Sequence, residues 1–215
     1  MRNKHYKNKY KERFIMIIRS QMKSAAKAQI KGNIGILFAC HLVIGLISML
    51  TAPLGLGFLI APSFVLSTNI IYIALTQEVR PSVSDVWKGF RAFGKALWLS
   101  IITWFFTFAW SLLLVIPGIV KGYAYLMAPY IFADNPGMSA REALAESKRM
   151  TNGHKFDLFV LSLSFIGWFL LIPITFGLIM IWLVPYTNAT LANYYLAMKD
   201  EKSTVTQSAE QSALA

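Results

Sequence analysis

Leu97-Trp98-Leu99-Ser100-Ile101-Ile102-Thr103-Trp104-Phe105-Phe106 lies near the start of a 38-residue run, 96–133, whose only Asp, Glu, Lys or Arg is Lys121. A core helix of a soluble bundle needs a polar outer face, and this stretch has none. Two further runs resemble it. Gly32–Gln77 is 46 residues and Leu158–Met198 is 41 residues, both without Asp, Glu, Lys or Arg. A spanning helix needs about 20 apolar residues at about 1.5 Å rise each. Each run is therefore long enough to cross a bilayer twice and too long to cross it once. Each also breaks near its middle, at Thr51-Ala52-Pro53, Ile116-Pro117-Gly118 and Ile172-Pro173-Ile174. Proline disfavours helix continuation, and nearby glycine helps the chain reverse. Six helices are expected, at about 34–50, 54–75, 97–116, 118–133, 158–172 and 176–198. The fold class is all-α: a polytopic membrane protein with six transmembrane helices in three hairpins and amphipathic cytoplasmic helices between them.

Composition supports this. Of the 215 residues, 56% are hydrophobic and 14% charged, against roughly 25% charged in soluble domains. That excludes an ordinary soluble globule, and also intrinsic disorder, which needs low hydrophobicity and high charge. A single cysteine, Cys40, excludes a disulfide framework and a cysteine-based zinc site. The first apolar run begins near residue 34 and no small-residue cleavage site follows it, so a cleaved signal peptide is not expected.

The basic residues give an orientation. Residues 1–31 hold ten of the 21 Lys and Arg against one acid, Glu12. The 78–95 connection adds Arg80, Lys88, Arg91 and Lys95; the 134–157 connection adds Arg141, Lys148, Arg149 and Lys155; Lys199 and Lys202 follow the last span. With six crossings all of these share one side, and only Lys121 lies apart. The positive-inside bias assigns that side to the cytoplasm of a plasma membrane, with both termini inside. Three regions result: a basic cytoplasmic leader and amphipathic helix (1–31), a six-helix membrane domain (32–198), and a polar tail (199–215) expected to be disordered.

Landmarks in the membrane domain recur about every 60 residues, at Gly32, Gly94 and Gly153, then at the turn prolines Pro53, Pro117 and Pro173, then at Pro62, Pro129 and Pro185 inside the returning helices. Internal repeats 20–77, 82–135 and 139–198 are expected from this order. The connections are amphipathic. Val83, Val86, Trp87, Phe90, Phe93 and Leu97 form an apolar stripe, and Ser82 with Asp85 and Ser139 with Glu142 have capping-box spacing. Arg19, Lys23, Lys27 and Lys31 recur every four residues beside Ile15, Ile18, Met22 and Ala26. Such a helix reads as lying in the headgroup plane or against the cytoplasmic ends of the spans.

Several stretches resemble an uncharacterised bacterial membrane family, domain of unknown function number 975. They are Tyr130-Ile131-Phe132-Ala133-Asp134-Asn135-Pro136, Ser139-Ala140-Arg141-Glu142-Ala143-Leu144, Phe159–Trp168 and Trp182–Thr190. The likeness runs over roughly residues 20–198, and more distantly the chain looks like the membrane part of some glycerophosphodiester phosphodiesterases. The resemblance implies a bacterial plasma-membrane protein and supplies no catalytic residues.

No phosphate-binding loop, nucleophile elbow, zinc-protease pair or Cys-x-x-Cys occurs in the sequence. Asp134, His154 and Asp157 are the acids and base that could gather at the interface, although capping explains them more simply. No enzyme, cofactor, metal or catalytic residue is therefore expected. Ionisable and amide groups inside the spans are His41, Asn69, Lys121 and Asn188. His41 is read as a neutral imidazole bonded to a neighbouring helix, Asn69 and Asn188 as interhelical bonds, and Lys121 as reaching outward. The basic residues Arg19, Lys23, Lys27, Lys31, Lys88, Arg91 and Lys95 are expected to face anionic lipid, each adding roughly 1 kcal/mol near the surface. Nucleic acid is not expected as a partner of the basic leader; a membrane protein partner is. The function expected is non-enzymatic lipid interaction or membrane scaffolding. The alternative is a small transporter or channel with a path between proline-kinked helices.

Overall fold

The computed structural model of the chain describes the backbone of residues 20–113 and 115–214, with side chains described outside 111–117 and 202–214. Among the described residues every regular element is helical. Helix α1 covers 20–31. It is followed by α2 (Ile34–Thr51), a 3-10 turn (Ala52–Leu54), α3 (Gly57–Thr76), a 3-10 segment (Val83–Ala92), α4 (Phe93–Leu113) and α5 (Val115–Tyr125). Then come α6 (Ala128–Asp134), α7 (Ala140–Met150), α8 (Lys155–Phe169), the short α9 (Leu171–Ile174) and α10 (Met180–Leu214).

Four stretches are long and apolar enough to cross a membrane: Ile34–Leu54, Gly57–Thr76, Val83–Trp110 and Lys155–Ile174. The two other expected spans differ for separate reasons. The segment 118–133 is not one helix. It divides where α5 ends at Tyr125 and α6 starts at Ala128 with Pro129 in its first turn. Proline has no N–H to continue the ladder, and a first turn is where it is tolerated. The 176–198 segment begins instead at Met180, and Thr187, Asn188, Thr190 and Asn193 dilute its apolar character. Thr190 is fully buried, so that polarity faces the protein.

The turns also differ from their proline signals. After Pro53 the chain reverses at Gly55, whose φ of +67° suits glycine. Pro173 lies inside α9, and the reversal follows it around Gly177 at φ +82°. Residues 117 and 118 lie within α5, so no turn forms there. Ring contacts join α2 to α3 through His41 and Tyr72, α4 to α5 through Phe106 and Tyr125, and α8 to α10 through Phe165 with Tyr186 and Trp168 with Trp182. Pro62 and Pro185 are each the sixth residue of their helix, whereas Pro129 is the second of α6.

Helix α3 is the centre of the packing. Its buried residues include Ser63, Phe64, Leu66, Ser67, Asn69, Ile71, Tyr72, Ile73 and Leu75, and α4, α6, α10 and the 3-10 segment all pack on it. Burial is uneven along the molecular axis. Near the α2–α3 and α8–α10 reversals, Met49, Leu50, Leu54, Phe58, Leu170, Ile174, Phe176 and Leu178 are exposed. Towards the opposite end, Ile71, Tyr72, Phe132, Ala143, Leu158 and Tyr195 are buried. Contiguous exposed apolar surface of this kind is stable only when something apolar covers it.

The 82–97 segment, expected as one amphipathic helix, is a 3-10 helix to Ala92 and α-helical only afterwards. A 3-10 helix repeats every three residues. Val83, Val86, Gly89 and Ala92 therefore share one edge, where Val86 and Gly89 are buried. Trp87 and Phe93 of the apolar stripe are exposed. Gly89 sits so close to α3 that a Cβ there would lie 2.0 Å from the Ser63 carbonyl oxygen, and its amide donates to Ser67 Oγ at 2.8 Å. Finally, the tail is not irregular: α10 continues as helix to Leu214.

Gly89→Ala should destabilise the folded protein by about 2 kcal/mol or more, because backbone must move to admit the methyl. Gly94→Ala, with nothing within 4 Å, should be nearly silent. Thermal unfolding in a fixed detergent compares them, and equal midpoints would remove the close approach as a constraint.

Candidate lipid-binding surface

Helix α1 docks through Ala26 and Ile30, both buried, and through paired amides. Gln29 Nε2 donates to Asn193 Oδ1 at 3.2 Å, and Asn193 Nδ2 donates to Gln29 Oε1 at 2.7 Å. This sets the lysines against the bundle. Lys23 Nζ donates to Ser164 Oγ and stands 4.5 Å from the Phe165 ring centre. Lys27 Nζ stands 5.6 Å from the Tyr186 ring. Burial, with the charge of Lys27 second, lowers the Lys23 pKa from its ordinary value. Two of the four stripe residues thus turn towards α8 and α10. Lys31 is exposed, and Arg19 lies outside the described residues.

The second basic group is carried by the 3-10 segment and the first turn of α4. Lys88 pairs with Asp85 at 2.9 Å, and Lys95 Nζ donates to the Pro136 carbonyl at 3.1 Å. Arg91 is exposed, with no hydrogen-bond or ion-pair partner among the described residues. The three cations border a cavity of about 490 Å³ floored by Leu66, Ile70 and Phe132. The Ser82 amide donates to Asp85 Oδ2 at 2.9 Å. Burial pushes the Asp85 carboxyl up, but Lys88 and the Ser82 amide outweigh it and hold the pKa below the ordinary value.

The polar residues expected inside the spans are mostly satisfied locally. His41 Nδ1 lies 2.8 Å from the Leu37 carbonyl, so its bond is to its own helix and not to a neighbour. The cavity beside it, about 330 Å³, is walled by apolar side chains such as Phe38, Leu42, Met180 and Val184. Asn188 Nδ2 likewise donates within its helix, to the Val184 carbonyl at 3.0 Å, where an interhelical bond was expected. Asn69 is buried on α3. Lys121 Nζ stands 4.4 Å from the Trp110 ring, a cation–π contact across α4 and α5.

The contacts of Ser147, Thr151 and Tyr195 carried no sequence signal strong enough to find. Ser147 and Thr151 of α7 donate to the Ala124 carbonyl, at 2.8 and 3.4 Å, where α5 ends. Asp134 accepts from Tyr195 Oη at 2.8 Å and pairs with Lys199. His154 lies 3.7 Å from Asp157 and 3.4 Å from Glu201. Asp134 and His154 thus have separate partners. Among the described residues no three His, Cys, Asp or Glu side chains are placed to hold a metal ion.

The capping box of α7 is complete. The Ser139 amide donates to Glu142 Oε2 at 2.8 Å, and the Glu142 amide donates to Ser139 Oγ at 3.2 Å. The Ser139 amide holds the Glu142 carboxyl below its ordinary pKa. A carboxylate depressed by folding contributes stability above its unfolded pKa of about 4.3, and that contribution is lost as pH falls through the depressed value. Amide exchange in the first turn of α7, corrected for intrinsic rates, should therefore accelerate on acidification below about pH 4. Glu142→Gln should be less protected near neutrality and should lack this acid step. An identical pH profile in the variant would contradict the capping account.

Residues 104–202 match the family model described as "Protein of unknown function (DUF975)", a little under half of the chain. No curated protein and no solved structure matches the chain.

Proposed function

We propose that the chain is a six-crossing plasma-membrane protein, with three helical hairpins and both termini in the cytoplasm, that acts without catalysis by engaging anionic lipid and thereby organising or scaffolding its membrane surroundings. The observation carrying this reading is the division of the surface. Large apolar side chains are exposed around the reversals, from Met49 to Phe58 and from Phe169 to Leu178. Cations gather away from the reversals on the 3-10 segment and the start of α4, while Lys23 and Lys27 of α1 lie over Phe165 and Tyr186 of the bundle. A bilayer offers the matching sequence of hydrocarbon and then anionic headgroups, on the side that the positive-inside bias favours. The apolar walls around His41 support lipid contact over a transport path, which needs polar lining groups.

Two measurements test this. Single cysteines at the exposed Ser84 and Ser139, in a Cys40→Ala background, should resist an impermeant thiol reagent in intact cells and react after permeabilisation. Labelling of either in intact cells would reverse the orientation. In nanodiscs at low salt, phosphatidylglycerol should stabilise the protein more than phosphatidylcholine, and salt should narrow the difference because the Debye length is about 10 Å at 0.1 M. Glutamine at Lys23, Lys27, Lys88 and Arg91 should remove most of it. Equal stability in both lipids would defeat the lipid reading.

A further inference from the structure

The basic cavity has a continuation. A groove of about 450 Å³ is lined by Phe58, Ala61 and Val65 of α3, Leu97 and Trp104 of α4, and Pro129 of α6. The basic cavity uses the next stretches of the same helices, Leu66 and Ile70 of α3, Phe93 to Lys95 of α4, and Phe132 of α6. The two spaces therefore follow one another along a single seam, cationic at one end and apolar at the other.

We propose that this seam is the binding site for one anionic glycerophospholipid, its phosphate among Lys88, Arg91 and Lys95 and an acyl chain along the groove towards Trp104. The proposal rests on the lipid reading above and gives it a discrete site. Three cations face one acid, Asp85, which Lys88 and the Ser82 amide already engage. Lys95 uses one of its three N–H donors on Pro136. Arg91 brings five donors in a planar fork suited to phosphate, and none has a partner among the described residues. The rim therefore prefers a phosphate with no ammonium of its own. From Lys95 to Trp104 the helix rises about 14 Å, close to half the roughly 30 Å hydrocarbon core, which is the depth of one leaflet. A free phosphate would use the rim and leave the groove empty. A neutral apolar molecule would fill the groove and leave the cations unmet. A phosphate ester carrying an acyl chain meets both.

Native mass spectrometry of the full chain from mild detergent, with added phosphatidylglycerol or phosphatidylcholine, tests the site. The unmodified protein should keep one phosphatidylglycerol per chain under activation that strips phosphatidylcholine. Arg91→Gln with Lys95→Gln should lower that bound fraction about tenfold or more. Val65→Trp, at a half-exposed position in the groove, should lower it similarly with no change in charge. Arg141→Gln with Lys148→Gln, both exposed on α7 and outside the seam, should leave it unchanged, and glycerol 3-phosphate in hundredfold excess should not displace the lipid. Retention by Val65→Trp equal to that of the unmodified protein would refute the seam. So would an equal loss in the Arg141 and Lys148 variant, while leaving the broader lipid reading intact. Displacement by glycerol 3-phosphate would make this a free-phosphate site and refute the proposal. Absence of any lipid preference would defeat both. Because variants can misfold, the unmodified protein is also labelled with a phosphatidylglycerol carrying a photoreactive acyl chain. Cross-links should fall within 58–65 and 97–104, and cross-links confined elsewhere would overturn the site.

Discussion

The arrangement depends on the absence of one side chain. At Gly89 the 3-10 segment touches the backbone of α3 closely enough that a methyl would collide with the Ser63 carbonyl, and the Ser67 hydroxyl fills the remaining gap by accepting the Gly89 amide. This contact fixes the height and rotation of the segment on the central helix. Three-residue periodicity then turns Val86 inward and leaves Trp87 and Arg91 exposed. Because α4 starts directly afterwards, the same contact places Lys95 at the mouth of the cavity. The cationic rim is thus a consequence of backbone packing several residues away.

Hydroxyl groups serve a second structural purpose. Thr51, Ser67, Ser162, Thr187 and Thr190 each donate to the carbonyl four residues earlier in their own helix. Such back-bonding satisfies the hydroxyl donor within its own helix and leaves the oxygen able to accept, as Ser67 does from Gly89. His41 and Asn188 behave the same way, which makes them self-contained features of their helices. The exceptions occur where a helix is interrupted. The Ala124 carbonyl at the end of α5 is met by Ser147 and Thr151 of α7, so the break that divides the 118–133 segment is compensated by the neighbouring helix.

These details show which parts of the molecule could be read in advance. Apolar runs and helix class were legible because hydropathy accumulates over every residue of a run, and both capping boxes were legible because they depend on three-residue spacing alone. Pro53 and Pro173 do stand beside the reversals at Gly55 and Gly177. The turn expected at 117 was misplaced, because a proline is as compatible with the first turn of a helix as with a reversal, and residue 117 lies in the first turn of α5. The switch to 3-10 geometry at 83–92 was hidden for a related reason. Its apolar residues also fit a 3.6-residue period, and only the approach of α3 to Gly89 favours the tighter winding. Among the candidate site residues, Lys88, Arg91 and Lys95 do converge on one cavity. Their apolar counterpart along α3 and α4 comes from distant segments and has no local signature.

The fate of the lysines separates charge from availability. Lys23, Lys27 and Lys121 each lie over an aromatic ring, of Phe165, Tyr186 and Trp110 respectively. A cation held this way has already exchanged part of its hydration for the face of a ring, and Lys23 has in addition a serine oxygen as partner. Attracting a headgroup to such a lysine means sharing or breaking an existing contact. Arg91 carries no such obligation among the described residues, and Lys95 gives up only part of its donor capacity. The formal net charge of +11 therefore overstates the field available to lipid. The short stretch from the 3-10 segment into α4 holds the more available cations, beside an apolar space that can take what a phosphate brings with it.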